Sequence, residues 1–190
     1  MEAQNNLKQL IRMFSTVDEE DLDLILDCFQ MRLFKKNEII LSAGDVSKEF
    51  YFINRGCIRT YFITKQGNEK TRYIMIEPSI GTALTSFISQ KPSFEFMDSL
   101  EESEVLAIGH SDFFRLTEEI PGWKNFYLKI MEMAYSFQNR KIESLVTLSA
   151  KERYDELLRD TPKMTQRVSN KILASYLDIK QETLSRLKSR

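Results

Sequence analysis

The stretch from residue 168 to residue 190 restricts the fold of this chain more than any other. Its spacing predicts two short helices joined by a tight turn. Ser169 is placed to cap the first helix, its hydroxyl accepting a free backbone N–H. Ile172, Leu173 and Leu177 then give one apolar face. Ala174 sits among them, small enough for a second helix to cross closely. Asp178 falls where the turn needs a left-handed backbone, which Asp tolerates better than most residues. Ile179 plugs the turn. The second helix is expected from about Lys180, with Leu184 and Leu187 turned inward.

What the second helix leaves outside is Gln181, Glu182, Ser185, Arg186 and Lys188. Gln, Glu and Arg early in such a helix match the donor and acceptor patterns of base edges in a major groove. Lys171, Lys180, Ser185, Lys188 and Arg190 suit phosphate oxygens. An ordinary helical hairpin with a solvated face is the alternative. The small residue, the turn and the plugs occurring together favour a helix-turn-helix.

The segment Lys180-Gln-Glu-Thr-Leu-Ser-Arg186 resembles the recognition helix of the CRP/FNR family of bacterial transcription regulators. The usual form there is Ser-Arg-Glu-Thr-Val-Gly-Arg. Glu182, Thr183 and Arg186 match it, and Gln181 replaces the common Arg. The resemblance implies sequence-specific binding to double-stranded DNA, with a target altered by Gln181. The family adds strands beyond this helix, and that wing is expected to be missing or very small here.

Among 190 residues, 42% are hydrophobic, an ordinary value for a soluble globular protein. No run approaches the ~18–20 apolar residues of a membrane span. The N-terminus lacks the basic-then-apolar order of a secretory leader, so a cytoplasmic location is expected. Cys28 and Cys57 are too few and too far apart for a zinc or iron–sulfur pattern. His110 is the only histidine, and no nucleophile motif accompanies it. No cofactor, metal or enzymatic activity is expected. The net charge of −1 conceals an asymmetry: residues 151–190 carry 10 Lys and Arg against 6 Asp and Glu. A mildly basic tail on an acidic body fits a segment that meets phosphate.

Residues 5–28 read as two helices, the second starting near Thr16-Val-Asp-Glu-Glu20. From about Gln30 to Gly109 the pattern becomes one of short strands separated by turns. These turns are Ala43-Gly-Asp45, Asn54-Arg-Gly56 and Gln66-Gly-Asn68. Strands are expected at 31–34, 38–41, 49–53, 57–63, 70–76, 95–98 and 104–108, giving a small antiparallel barrel or jelly roll. This stretch also resembles the CRP/FNR sensor, a cyclic-nucleotide-binding-type barrel, through the Gly44-Asp45 turn, the step at Gly56 and the strand Ser103-Glu-Val-Leu-Ala-Ile108.

That resemblance locates a ligand cradle, and there the chain departs from the pattern. Cyclic-nucleotide binders place a Gly-Glu pair on the ribose and an Arg-Ser or Arg-Thr pair on the phosphate. The matching positions are Gly81-Thr82 and Ser93-Phe94. Each lost charge-assisted contact costs on the order of 1.5–3 kcal/mol. Two such losses weaken binding by roughly two to four orders of magnitude. Cyclic AMP is therefore not expected to bind well. Arg72 and Lys91 are candidate anion anchors for an unidentified small-molecule effector.

Ser111 is placed to cap a short helix at 112–117, and Pro121-Gly122 opens the longest helix, to about Leu145. Trp123, Phe126, Ile130, Met133 and Phe137 step along it by 3, 4, 3 and 4, a heptad seam expected to meet the same helix of a second copy, the alternative being a single wide face buried within one subunit. Leu148-Ser149-Ala-Lys-Glu152 is a capping box. Asp160-Thr-Pro-Lys163 ends that helix, and a polar loop is expected to run to Ser169.

The expected fold class is α+β. A barrel or jelly-roll sensor with N-terminal helices occupies 1–120, a long dimerisation helix 121–147, and a helix-turn-helix 148–190. Expected partners are double-stranded DNA, a second copy of the chain, RNA polymerase and the effector, with no membrane. The alternative function is a small-molecule-binding barrel acting on a protein partner, with the C-terminal hairpin as its docking element.

Overall fold

The computed structural model describes residues 2–189. Two helices open the chain, α1 (Glu2–Phe14) and α2 (Glu19–Asp27). Asp18 caps α2 by accepting from the Asp21 amide at 2.8 Å. Eight strands follow: β1 (Gln30–Phe34), β2 (Ile39–Leu41), β3 (Glu49–Arg55), β4 (Cys57–Ile63), β5 (Glu69–Ile76), β6 (Ser79–Gly81), β7 (Phe96–Ser99) and β8 (Ser103–Gly109). The short helix α3 (Leu84–Ser89) separates β6 from β7. Then come α4 (His110–Glu119), α5 (Pro121–Thr147), α6 (Ala150–Asp160), α7 (Pro162–Arg167), α8 (Asn170–Tyr176) and α9 (Gln181–Lys188).

The strands form two four-stranded sheets, ordered β1-β8-β3-β6 and β2-β7-β4-β5. Pairing of β8 with β1 and β3, and of β3 with β6, is antiparallel. Register explains why β3 and β8 are apolar at nearly every position. Phe50 faces Ile108 and Phe52 faces Leu106, and these four join the helices in one core. Their neighbours Tyr51, Ile53, Val105 and Ala107 project from the other face and are buried there. Gly56 has φ +116°, and a Cβ on it would lie 2.1 Å from Ser103 Oγ, so only glycine allows β3 to step into β4 there.

By compactness the chain divides into two units. Residues 2–60 and 74–133 make one, and residues 61–73 and 134–189 the other. In the first unit an aromatic cluster forms the heart of the core. Phe113 lies 5.2 Å from Trp123 and 5.4 Å from Phe87, and the Trp123 indole donates to the Phe113 carbonyl at 3.0 Å. His110 belongs to this cluster, 4.7 Å from Phe114. Between β4 and β7, Arg59 holds Asp98 through two hydrogen bonds of 2.8 Å, both side chains buried.

Two local expectations change. Helix α4 starts at His110 behind Gly109, with no side-chain cap, so Ser111 lies inside the helix. The polar run before Ser169 is not a loop. Pro162 at its first turn starts α7, and Met164 is its buried residue. Among the described residues no helix is long and apolar enough to cross a membrane. Among the same residues no group of three or more His, Cys, Asp or Glu is placed to hold a metal ion.

Candidate nucleic-acid interface

Ser169 caps α8, its hydroxyl accepting from the Ile172 amide at 3.4 Å. Leu173 and Ala174 are buried on α8, and Leu184 of α9 is fully enclosed. Asp178 has φ 53°, the left-handed turn residue, and the Ile179 amide closes the turn on the Ala174 carbonyl at 3.0 Å. The main chain of this turn is tied to its support from outside as well. Arg153 on α6 donates from Nε to the Leu177 carbonyl at 3.0 Å and from one terminal nitrogen to the Leu148 carbonyl at 2.6 Å. The capping box of α6 is formed, Ser149 and Glu152 each bonding the other's amide. It also pulls the Glu152 carboxyl below its ordinary pKa, because the ionised form accepts from Ser149.

With the apolar positions spent on this scaffold, Lys180, Gln181, Glu182, Ser185, Arg186 and Lys188 are all exposed, and Thr183 is half-buried. Arg186 Nε reaches back to the Glu182 carbonyl at 3.4 Å, and Lys188 Nζ donates to Asn170 Oδ1 at 2.6 Å. Lys171 is exposed on α8. Arg190 lies outside the described residues. A polar helix face with this composition can offer donors and acceptors to base edges while its cations meet phosphate.

The ligand positions show a different chemistry. Thr82 is buried, donates to the Glu49 carbonyl at 2.8 Å and shares a 2.8 Å hydrogen bond with Ser47 Oγ. Ser93 is buried too. Its hydroxyl donates to the Glu95 carbonyl at 3.1 Å and accepts from the Glu95 amide at 2.9 Å. Ser86 and Gln90 tie the same loop to the backbone of Ser47 at 3.0 and 3.1 Å. A Cβ on Gly81 would lie 2.5 Å from Met75 Sδ. The hydroxyls standing where the resemblance calls for Glu and Arg are thus consumed by the barrel's own backbone. Lys91 and Phe94 are exposed, Phe94 by 87%. Arg72 belongs to the second unit, its guanidinium 6.0 Å from the centre of the Phe62 ring. Burial lowers its pKa.

The seam expected on α5 needs correction. Trp123, Phe126 and Ile130 are 0%, 1% and 6% exposed, packed into the core of their own chain, so they are not free for a second copy. Phe126 stands 6.4 Å from Phe14, and Phe137 lies edge-on to Tyr73 at 4.6 Å. Of the five expected positions, Met133 is the one that remains substantially exposed. The apolar side chains that α5 does leave open include Leu128, Tyr135, Ile142 and Val146. Their spacing of 7, 7 and 4 is itself a heptad pattern. The bulkier stripe was claimed by the chain's own core because an aromatic side chain gains most from full burial. Two features had no warning in the sequence, the buried Arg59–Asp98 pair and the attachment of Arg153 to the turn. Each joins residues far apart in the chain.

Two four-stranded sheets are followed along the chain by the long helix α5 and the short helices α6 to α9. Residues 31–119 match the family model of the cyclic nucleotide-binding domain. The fumarate and nitrate reduction regulatory protein of Vibrio cholerae is 26% identical, over 92% of this chain and 74% of its own length. The cyclic AMP receptor protein of Thermus thermophilus is 25% identical, over 57% of this chain and 50% of its own. The fold is shared with the crystal structure of the Thermus thermophilus catabolite activator protein, with TM-score 0.60 and 20% identity over 93% of this chain and 84% of that one. It is also shared with FixK2 of Bradyrhizobium japonicum, with TM-score 0.69 and 16% identity over 85% and 83%. In sequence and in fold the chain is thus similar to transcription regulators of the CRP/FNR family.

Proposed function

We propose that the protein acts as a homodimer that binds a near-palindromic DNA site and regulates transcription without a requirement for cyclic AMP. The observation that carries this reading is the uncovered polar face of α9, opposite the buried Leu184. Helix α9 enters the major groove. Gln181, Glu182 and Arg186 read bases, with Thr183 beside them. Lys171, Lys180, Ser185, Lys188 and Arg190 position on the backbone. The closed hydrogen-bonding of Thr82 and Ser93 supports independence from cyclic AMP, since neither offers a charge to ribose or phosphate. The exposed heptad positions of α5 support pairing with a second copy. Selection of bound duplexes from a random pool, followed by titration of the selected site at several salt concentrations, tests the reading. A recovered palindrome and a steep salt dependence are expected. Recovery of no sequence preference overturns it.

A further inference from the structure

Strand β5 is the last strand of its sheet, so one side of its backbone has no neighbouring strand. On that strand a single side chain of the reading module is bonded to both polar groups of the backbone. Ser175 Oγ, on α8, accepts from the Thr71 amide at 2.8 Å and donates to the Glu69 carbonyl at 2.9 Å. The hydroxyl thus supplies the donor and the acceptor that an additional strand would bring. Between these two residues, Lys70 forms an ion pair with Asp178, the left-handed residue of the turn. Residues 61–73, the end of the β4–β5 hairpin, pack in one compact unit with the helices of the reading module. The base-facing residues Gln181, Glu182 and Arg186 remain exposed in this arrangement.

We propose that Ser175 is a positioning residue, which clamps the edge of β5 and with the Lys70–Asp178 pair fixes the orientation in which α9 meets DNA. The inference rests on the DNA-reading function proposed above. A clamp of this kind acts on specific recognition, where α9 must sit in one orientation. Loose electrostatic attachment to arbitrary duplex does not need it.

The test uses the full chain with Ser175→Ala, Asp178→Asn and Ser175→Thr, the last retaining the hydroxyl. Hydrogen exchange at the Thr71 amide reads the clamp without DNA, and binding is measured on the selected site and on random duplex. Ser175→Ala is expected to speed exchange at Thr71 and to weaken the selected site by about 3–10-fold, the equivalent of one hydrogen bond, with random duplex unchanged. Ser175→Thr is expected to restore both, and Asp178→Asn to act in the same direction as Ser175→Ala. Unchanged exchange at Thr71 in Ser175→Ala overturns the clamp. Faster exchange with an unchanged selected-site affinity overturns the positioning role. If the parent protein binds no duplex, the DNA-reading function and the positioning role both fall, while exchange still reports whether the clamp exists.

Discussion

The Lys141 ammonium lies 3.6 Å from the centre of the Tyr176 ring and donates to the carbonyl of the same residue. Burial, and then the nearby Arg153 charge, lower its pKa from 10.5 to about 8. The folded chain therefore holds this proton less tightly than the unfolded one. The resulting penalty is fully present below pH ~8 and is relieved as the pH rises toward 10.5, so this group makes stability increase across that window. Burial raises the pKa of Tyr73, and of Tyr176 to about 12, and those groups withdraw stability only above pH ~10. Lys141→Met is expected to flatten the rise between pH 8 and 10. Urea unfolding at pH 7, 8.5 and 10 checks it.

Asp98 and Arg59 are a buried, bidentate pair. Asp98→Ala removes two charge-assisted hydrogen bonds from a buried guanidinium and is expected to cost about 3–5 kcal/mol. Replacing both residues by apolar ones of similar volume should recover most of that loss. Denaturant midpoints of the single and double variants measure the difference.

On α5 the buried and the exposed apolar stripes are expected to separate stability from the proposed assembly. Ile130→Glu places a charge in the chain's own core and should unfold the protein or lower its stability severely. Tyr135→Glu with Ile142→Glu changes residues that are exposed in the single chain and should leave folding intact while yielding monomers. Circular dichroism and sedimentation velocity on the same preparations distinguish the two effects. A parent protein that sediments as a monomer at micromolar concentration would falsify the dimer.

The sequence does not reveal which stripe of α5 faces inward. Both stripes have heptad spacing, and spacing alone does not say which faces inward. That depends on the helices and sheet packed around Trp123, which are remote in sequence. Local signals were legible for the opposite reason. The Ser169 cap, the left-handed Asp178 and the Ser149–Glu152 capping box each depend on residues within a few positions of one another. Ser175 gave no signal, since its partners are more than a hundred residues away.

Calorimetric titration with cyclic AMP at micromolar concentration is expected to give no binding heat. The loop that would hold the phosphate is bonded to Ser47, Glu49 and Asp45 of the barrel instead. Thr82→Glu should not create a site. It removes two hydrogen bonds from a buried position, and a loss of about 1–3 kcal/mol of stability is expected. A micromolar dissociation constant for the parent protein would overturn the closed-cradle interpretation.

Under the proposed function, Arg186 and Lys188 are expected to separate reading from attachment. Arg186 is exposed on α9 and its guanidinium has the fork that suits guanine O6 and N7. Arg186→Ala is expected to cost about 1–3 kcal/mol on the selected site and little on random duplex. Lys188 donates to Asn170, a bond that the proposed phosphate contact would replace. Lys188→Ala should weaken selected and random duplex alike and reduce the salt slope by about one unit. Gln181 suits adenine, so Gln181→Arg should move preference toward guanine at one position in each half-site. Competition titrations of the parent and three variants against both duplexes supply all these comparisons. Affinities that stay within experimental error of the parent on both duplexes would mean that the exposed face of α9 meets only water.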